Sequence, residues 1–300
     1  MTVMEPFEQG KRILVGVDGS TGSQAALGWA LEEAQLRHAE IEAVYAWHLP
    51  ALAYGAPGFI PPGPEAMDVE ARTVLERTLA NLPAASDVKV HLRVCDGPPV
   101  EVLARAAGEP DVDLVVVGSR GHGGVAELML GSVSHSLTHH CPKPMVIIPK
   151  ANGASTPTAP RRVVVGIDGS SEASAALHWA AREAQARGDT LQVVVAWSES
   201  KAIFPTEFPL GGSLPTRLHA AARDIIDQAV DTLDATGLTI ERTVVQGRPA
   251  AVLIELASSA DLLVVGNRGR GRAQEALHGS VSHACAHRSP VPLVVIPHCK

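Results

Sequence analysis

Long apolar runs, a surplus of basic residues and paired cysteines are all missing from this chain of 300 residues. No apolar stretch approaches the roughly 20 residues that span a bilayer, so a membrane span is not expected. Lysine and arginine number 25 against 32 aspartates and glutamates, a net charge of −7. An extended nucleic-acid surface needs a basic face to displace counterions from phosphates, and this balance argues against one. A single nucleotide stays within reach, because one loop suffices to hold it. The four cysteines, at 95, 141, 285 and 299, show no CxxC spacing, and reduced thiols in a cytoplasmic protein are the expectation. Met1 to Gly10 is short, acidic and proline-bearing, unlike a secretory signal, so export is not expected.

Familiar catalytic loops are missing too. No glycine loop ends in Gly-Lys-Ser/Thr, no Ser-Gly-Gly-x-Asp-Ser loop occurs, and there is no Gly-x-Ser-x-Gly elbow. What the chain does carry is a different glycine loop, twice. After the apolar run Leu114 to Val117 come Gly118, two residues, Gly121, nine residues, then Gly131-Ser132. After Leu262 to Val265, Gly266, Gly269 and Gly279-Ser280 repeat the same spacing. Each copy reads as a buried strand, a glycine-rich loop and a Gly-Ser pair that opens a helix. Glycines let backbone N–H groups converge on an anion, and a helix start adds unpaired donors and the positive end of the dipole. Arg120, His122, Arg268, Arg270 and Arg272 lie in these loops and can add charge. A lone loop of this kind is also an ordinary tight turn; two copies with one spacing point to phosphate binding.

The repeat extends beyond the loops. Arg12-Ile-Leu-Val-Gly16-Val-Asp18-Gly-Ser and Arg162-Val-Val-Val-Gly166-Ile-Asp168-Gly-Ser lie 150 residues apart and differ only in aliphatic substitutions. Two domains are therefore predicted, residues 1–150 and 162–300, joined by a linker at 151–161. In the first, strands are predicted at 12–17, 41–47, 88–95, 113–118 and 145–148, with helices following Asp18 and at 65–82, 100–107 and 132–140. Residues 50–64, rich in proline and glycine, read as a loop. The second domain repeats this with strands near 162–167, 191–197, 239–246, 262–266 and 293–296 and helices near 172–187, 215–235, 249–259 and 281–288. Such alternation predicts an α/β fold, an open parallel sheet covered on both faces, whose ligands bind beyond the carboxyl ends of the strands. Asp18 and Gly118 both end strands and can face one pocket.

With these strand ends and loops in view, the chain resembles the universal stress protein family in its tandem two-domain form, and within it the ATP-binding subgroup. The resemblance covers about residues 11 to 298. It implies two five-stranded parallel sheets of the Rossmann-like, adenine nucleotide alpha hydrolase-like kind, each with four helices, and an ATP bound in each domain with or without Mg²⁺. By the same resemblance Asp18 and Asp168, preceded by Gly16 and Gly166, are the carboxylates on the adenine or ribose side. The backbone at Ala46 and Ala196 contacts adenine, and Gly118 and Gly266 lie under the ribose. Gly121, Gly131, Ser132 and Val133, with their twins Gly269, Gly279, Ser280 and Val281, hold the phosphates beside Arg120 and Arg268. Relatives often carry a larger aliphatic residue where this chain has Ala46 and Ala196; only backbone is used there.

Simpler readings stand beside these. Asp-Gly-Ser is ordinary turn chemistry that caps a helix. The turns at Gly97 and Gly247 either border the adenine pocket or merely start a helix. His135 with His139, and His283 with His287, have the i, i+4 spacing of a metal pair, but no third ligand or His-Glu-x-x-His motif accompanies them, and no metal is assigned. Trp29, Trp47, Trp179 and Trp197 read as core. The apolar strands at 145–148 and 293–296 are expected to be sheet edges that pair, joining the two halves or two chains as a homodimer. Two functions compete: a nucleotide-responsive regulatory module of a stress or dormancy response, whose regulatory protein partner the sequence does not name, and a slow ATPase or adenylyl-transferring enzyme with Asp18 or a histidine as base. The missing Walker lysine favours the first, with at most weak hydrolysis.

Overall fold

The computed structural model describes residues 11–49, 62–83, 87–122, 130–150, 161–198, 213–267 and 280–298. The expected loop at 50–64 and the linker at 151–161 fall almost wholly outside these, as do Arg268, Gly269 and Gly279 of the second glycine loop. By its internal contacts the chain divides into two compact units, Met1–Lys150 and Ala151–Lys300.

The first unit alternates strand and helix throughout: β1 (Arg12–Gly16), α1 (Thr21–Arg37), β2 (Glu40–Trp47), α2 (Pro64–Ala80), β3 (Val90–Asp96), α3 (Pro99–Ala107), β4 (Val112–Gly118), α4 (Ser132–His140) and β5 (Met145–Ile148). Its strands are parallel and run in the order β3-β2-β1-β4-β5. Right-handed crossovers then put α1 and α2 on one face and α3 and α4 on the other, in keeping with the contacts of α1 with α2 and of α3 with α4. The direction of winding reverses between β1 and β4. Both strands are buried runs of aliphatic residues, Ile13 to Val15 and Leu114 to Val117, as strands covered on two faces must be.

The second unit repeats the plan: β6 (Arg162–Gly166), α5 (Ser171–Arg187), β7 (Thr190–Trp197), α6 (Leu214–Val230), β8 (Ile240–Gln246), α7 (Pro249–Ala257), β9 (Leu262–Gly266), α8 (Ser280–Arg288) and β10 (Leu293–Ile296). The parallel order is β8-β7-β6-β9-β10. Helix α6 stops at Val230, short of the expected 235. Asp234 accepts from the Thr236 N–H at 3.1 Å and from its hydroxyl at 2.7 Å, a local bond that competes with helix continuation. Trp47, Trp179 and Trp197 are buried, whereas Trp29 is only half-buried. The buried thiols of Cys141, closing α4, and Cys285, within α8, are free, and burial pushes them up to about 11 and about 12.

Charge is buried at the amino ends of the first unit's strands. Glu42 on β2 has a side chain only 7% exposed and lies 3.2 Å from Arg12 and 3.4 Å from Arg93. Arg12 also reaches Glu109 at 2.6 Å and Asp111 at 2.8 Å, and Arg93 reaches Glu109 at 2.9 Å. The second unit has Gln192 in place of Glu42, and there Arg162 meets Gln192 at 3.4 Å and the exposed Glu241 at 3.2 Å. A buried carboxylate stripped of a partner costs more than a buried amide. Arg12→Ala should therefore destabilise the first unit by about 2 kcal/mol, and Arg162→Ala the second by at most about 1 kcal/mol, read from denaturant midpoints of each variant. Arg12 holds Asp111, and Arg93 foremost with Arg12 holds Glu109, below the ordinary carboxylate range. Groups with depressed values give stability that is complete above about pH 5 and is lost as the pH falls through those values. Arg12→Ala should flatten that acid-side loss.

Candidate functional site

The site of the first unit grows from the carboxyl ends of β1 and β4, where the winding reverses and a crevice opens. Just past β1, the Ser20 N–H donates to Asp18 Oδ1 at 3.0 Å across Gly19, whose φ of 83° lies in the left-handed region glycine favours. Ser20 caps α1, its hydroxyl accepting from the Ser23 N–H at 3.2 Å. The turn chemistry expected of Asp-Gly-Ser is thus realised, and it leaves Asp18 Oδ2 outside that turn bond. Burial works to raise the Asp18 carboxyl, but the Ser20 hydroxyl and N–H, the Ser23 hydroxyl and His122 outweigh it, and the group sits below its ordinary range. It is an anion at neutral pH.

Three glycines bring the loop after β4 onto this turn. A Cβ on Gly118 would lie 2.6 Å from the backbone carbon of Gly22, one on Gly22 would overlap the carbonyl oxygen of Arg120, and one on Gly121 would overlap Asp18 Oδ2. The end of β4 therefore crosses the first turn of α1 at backbone contact. His122 Nε2 lies 3.0 Å from the Asp18 carbonyl, completing the crossing. Ser119 donates its N–H to Ile148 of β5 at 2.7 Å, Gly131 donates to the Ser119 carbonyl at 2.8 Å, and Ser134 Oγ donates to the Gly118 carbonyl at 2.6 Å. These bonds hold the start of α4 against the end of β4. Gly131 is the N-cap of α4 and supplies no side-chain cap, so the first N–H groups of that helix keep their donor capacity, unlike the serine-capped α1.

A cavity of about 850 Å³ opens between these parts. Gly16, Asp18, Ala46, Gly118, Arg120, Gly121, Gly131, Ser132 and Val133 all line it; every site residue read from the first half of the sequence is brought together. Its wall also holds residues that reading missed, notably Gly22 and Lys150. Lys150 follows β5, and only the placement of β5 beside β4 brings it here. Of the Gly97 turn, Pro99 reaches the cavity wall.

The second unit repeats the first turn. Ser170 donates to Asp168 Oδ1 through its N–H at 3.0 Å and its hydroxyl at 2.6 Å, Gly169 has φ 78°, and Ser170 caps α5 through the Ala173 N–H at 3.2 Å. Gly166, Ala196 and Gly266 end β6, lie on β7 and end β9 respectively, and Ser280 and Val281 open α8. Asn267 donates its N–H to Ile296 at 2.8 Å, as Ser119 does to Ile148. Arg268, Gly269 and Gly279 lie outside the described residues.

The model of the universal stress protein family matches the chain twice, over residues 10–149 and 160–297. Universal stress protein Rv1996 of Mycobacterium tuberculosis is 33% identical over 310 residues, covering 94% of each chain. Universal stress protein Rv2005c of the same organism is 31% identical over 292 residues, covering 94% of this chain and 96% of that one. A crystal structure of a universal stress protein from Archaeoglobus fulgidus DSM 4304 superposes with a TM-score of 0.68 at 23% identity, covering 98% of each chain. That likeness shows the α/β fold.

The crossing at Gly22 generates a prediction with an internal control. Alanine inside a helix ordinarily gains about 1 kcal/mol over glycine. At Gly28 of α1 the new Cβ meets only Leu82 at 3.4 Å, so Gly28→Ala should raise stability by up to about 1 kcal/mol. At Gly22 the neighbour is a backbone carbonyl that cannot rotate away, and Gly22→Ala should instead lower stability by about 1–3 kcal/mol. Thermal melts of the two variants should move in opposite directions.

Proposed function

This chain belongs to the universal stress protein family, and on that footing we propose that it is a nucleotide-responsive regulatory module in which each unit is a domain holding one adenine nucleotide, ATP with or without Mg²⁺. Residues 151–161 are the linker between the domains in this reading, and the working form is a homodimer. The observation that supports it most directly is the uncapped start of α4 opening onto the same cavity as the ionised Asp18. The cavity wall thus has helix N–H donors, Ser132, Arg120 and Lys150, a set suited to phosphates. The same wall has the Asp18 carboxylate, which can accept from ribose hydroxyls or an adenine amine, and Ala46. A volume of about 850 Å³ falls within the range of small-molecule sites.

Under this reading Asp18, Ala46, Gly118, Gly121, Gly131, Ser132 and Val133 hold the nucleotide of the first domain, and Asp168, Ala196, Gly266, Gly269, Gly279, Ser280 and Val281 that of the second. The chain's contribution is binding and exclusion of water; no base is assigned. Bound nucleotide stabilises each domain by mass action, which gives occupancy a structural readout.

Equilibrium dialysis with ATP should find two sites per chain. Gly131→Val, whose side chain would crowd the Ser119 carbonyl and the Arg120 backbone, should remove one, and Gly279→Val the other. Ser132→Ala should be milder, because it deletes a single charge-assisted hydrogen bond of about 1.5–3 kcal/mol and leaves the backbone donors. Wild-type protein that binds no ATP, or valine variants that bind as well as wild type, would sink the proposal.

A further inference from the structure

The second unit buries a carboxylate where the first has none. Asp189, at the turn from α5 into β7, answers Ala39 of the first unit. It lies at the amino end of its strand, on the edge of the sheet opposite Asp168. Asp189 is 6% exposed, and its Oδ2 is buried without a hydrogen-bond partner among the described residues. The backbone is held on both sides of it. Gly188 closes α5 in the left-handed region at φ 70°, the Asp189 N–H donates to the Ala184 carbonyl at 2.8 Å, and the Thr190 N–H donates to the Arg161 carbonyl at 3.1 Å. Moving the chain to expose the carboxylate would break the helix cap or the start of β7.

Charged groups bear on Asp189 from three elements. Arg187 and Glu183 come from α5, Arg161 from the approach to β6 and Asp261 from the approach to β9. The two arginines favour the anion and the two acids oppose it. Arg187 is also bound to the buried Glu183 at 2.5 Å, and Asp261 accepts the Arg162 N–H at 2.8 Å. Burial is the largest influence, and it lifts the Asp189 carboxyl above its ordinary range. An ionised carboxylate buried without donors forfeits its hydration, whereas the protonated acid loses far less.

We propose that Asp189 is a proton-linked switch in the second unit, seating the turn between α5 and β7 more firmly when protonated than when ionised. It works in the sense opposite to Glu109 and Asp111 of the first unit. A group whose folded value is raised binds its proton more tightly in the folded chain. The stability it contributes is complete below its unfolded value of about 4 and is lost as the pH rises through the folded one. At this group acidification stabilises the second unit, where at Glu109 and Asp111 it destabilises the first. The device needs no ligand and is independent of the nucleotide reading above.

Amide hydrogen exchange of the whole chain, resolved into peptides by mass spectrometry, tests it. Wild type is compared at each pH with Asp189→Asn, which keeps the shape and cannot ionise, and with Asp189→Ala, which restores the residue of the first unit. At pH 7 peptides from α5 and β7 should exchange about tenfold more slowly in Asp189→Asn, a factor of ten for each pH unit between the folded and unfolded values. That advantage should close as the pH falls toward 4. In Asp189→Ala the ratio to wild type should slope with pH in the same way, whatever the lost atoms do to its level. Peptides of the first unit should be unchanged in both variants. A ratio that stays constant between pH 7 and pH 4 assigns the difference to packing and rejects the proposal. Faster exchange in Asp189→Asn at pH 7 rejects it too, because the ionised carboxylate would then be the stabilising form.

Discussion

The contact on which the first unit's site depends is a crossing of two backbones, the end of β4 over the opening turn of α1. It is possible only because Gly118, Gly22 and Gly121 carry no side chains toward one another. That crossing brings the loop after β4 against the Asp18 turn, and both line the cavity. The hydrogen bonds of Ser119, Gly131 and Ser134 then transmit the position of β4 to α4. Dispersion and hydrogen bonding at this point are modest one by one. What they share is a geometry that any added methyl group would disturb.

Much of this was legible in the chain. The continuous aliphatic runs of β1 and β4, short and rich in β-branched residues, read as strands buried on both faces, and the glycine spacing marks the loop after β4. The first-half site residues named from the sequence all meet in one cavity, because strand ends of a parallel sheet share one edge and a family resemblance supplied the roles. The residues that escaped notice did so for physical reasons. Gly22 sits inside a helical pattern, where a glycine reads as a weak point and not as clearance for another backbone. Lys150 owes its place to strand order, which no local pattern encodes. The end of α6 was misjudged because Leu233 continues the apolar period, while the Asp234 side chain offers the backbone a competing partner.

Duplication has left two units with the same plan and different charge. Glu42 and Gln192, Gly22 and Glu172, Lys150 and His298 are matched positions whose chemistry has diverged, while the aspartate turns and the serine caps of α1 and α5 have not. Turn geometry constrains the backbone of every residue it involves, so it tolerates little change.

The two buried cysteines carry a consequence of a practical kind. Cys141 belongs to one unit and Cys285 to the other, and burial holds both thiols in their protonated, unreactive form at neutral pH. Each becomes a nucleophile only when its own helix loosens from its sheet. The chain thus carries in each half a chemical clock for local opening, and alkylation followed by mass spectrometry would time the breathing of the two halves separately within one intact molecule.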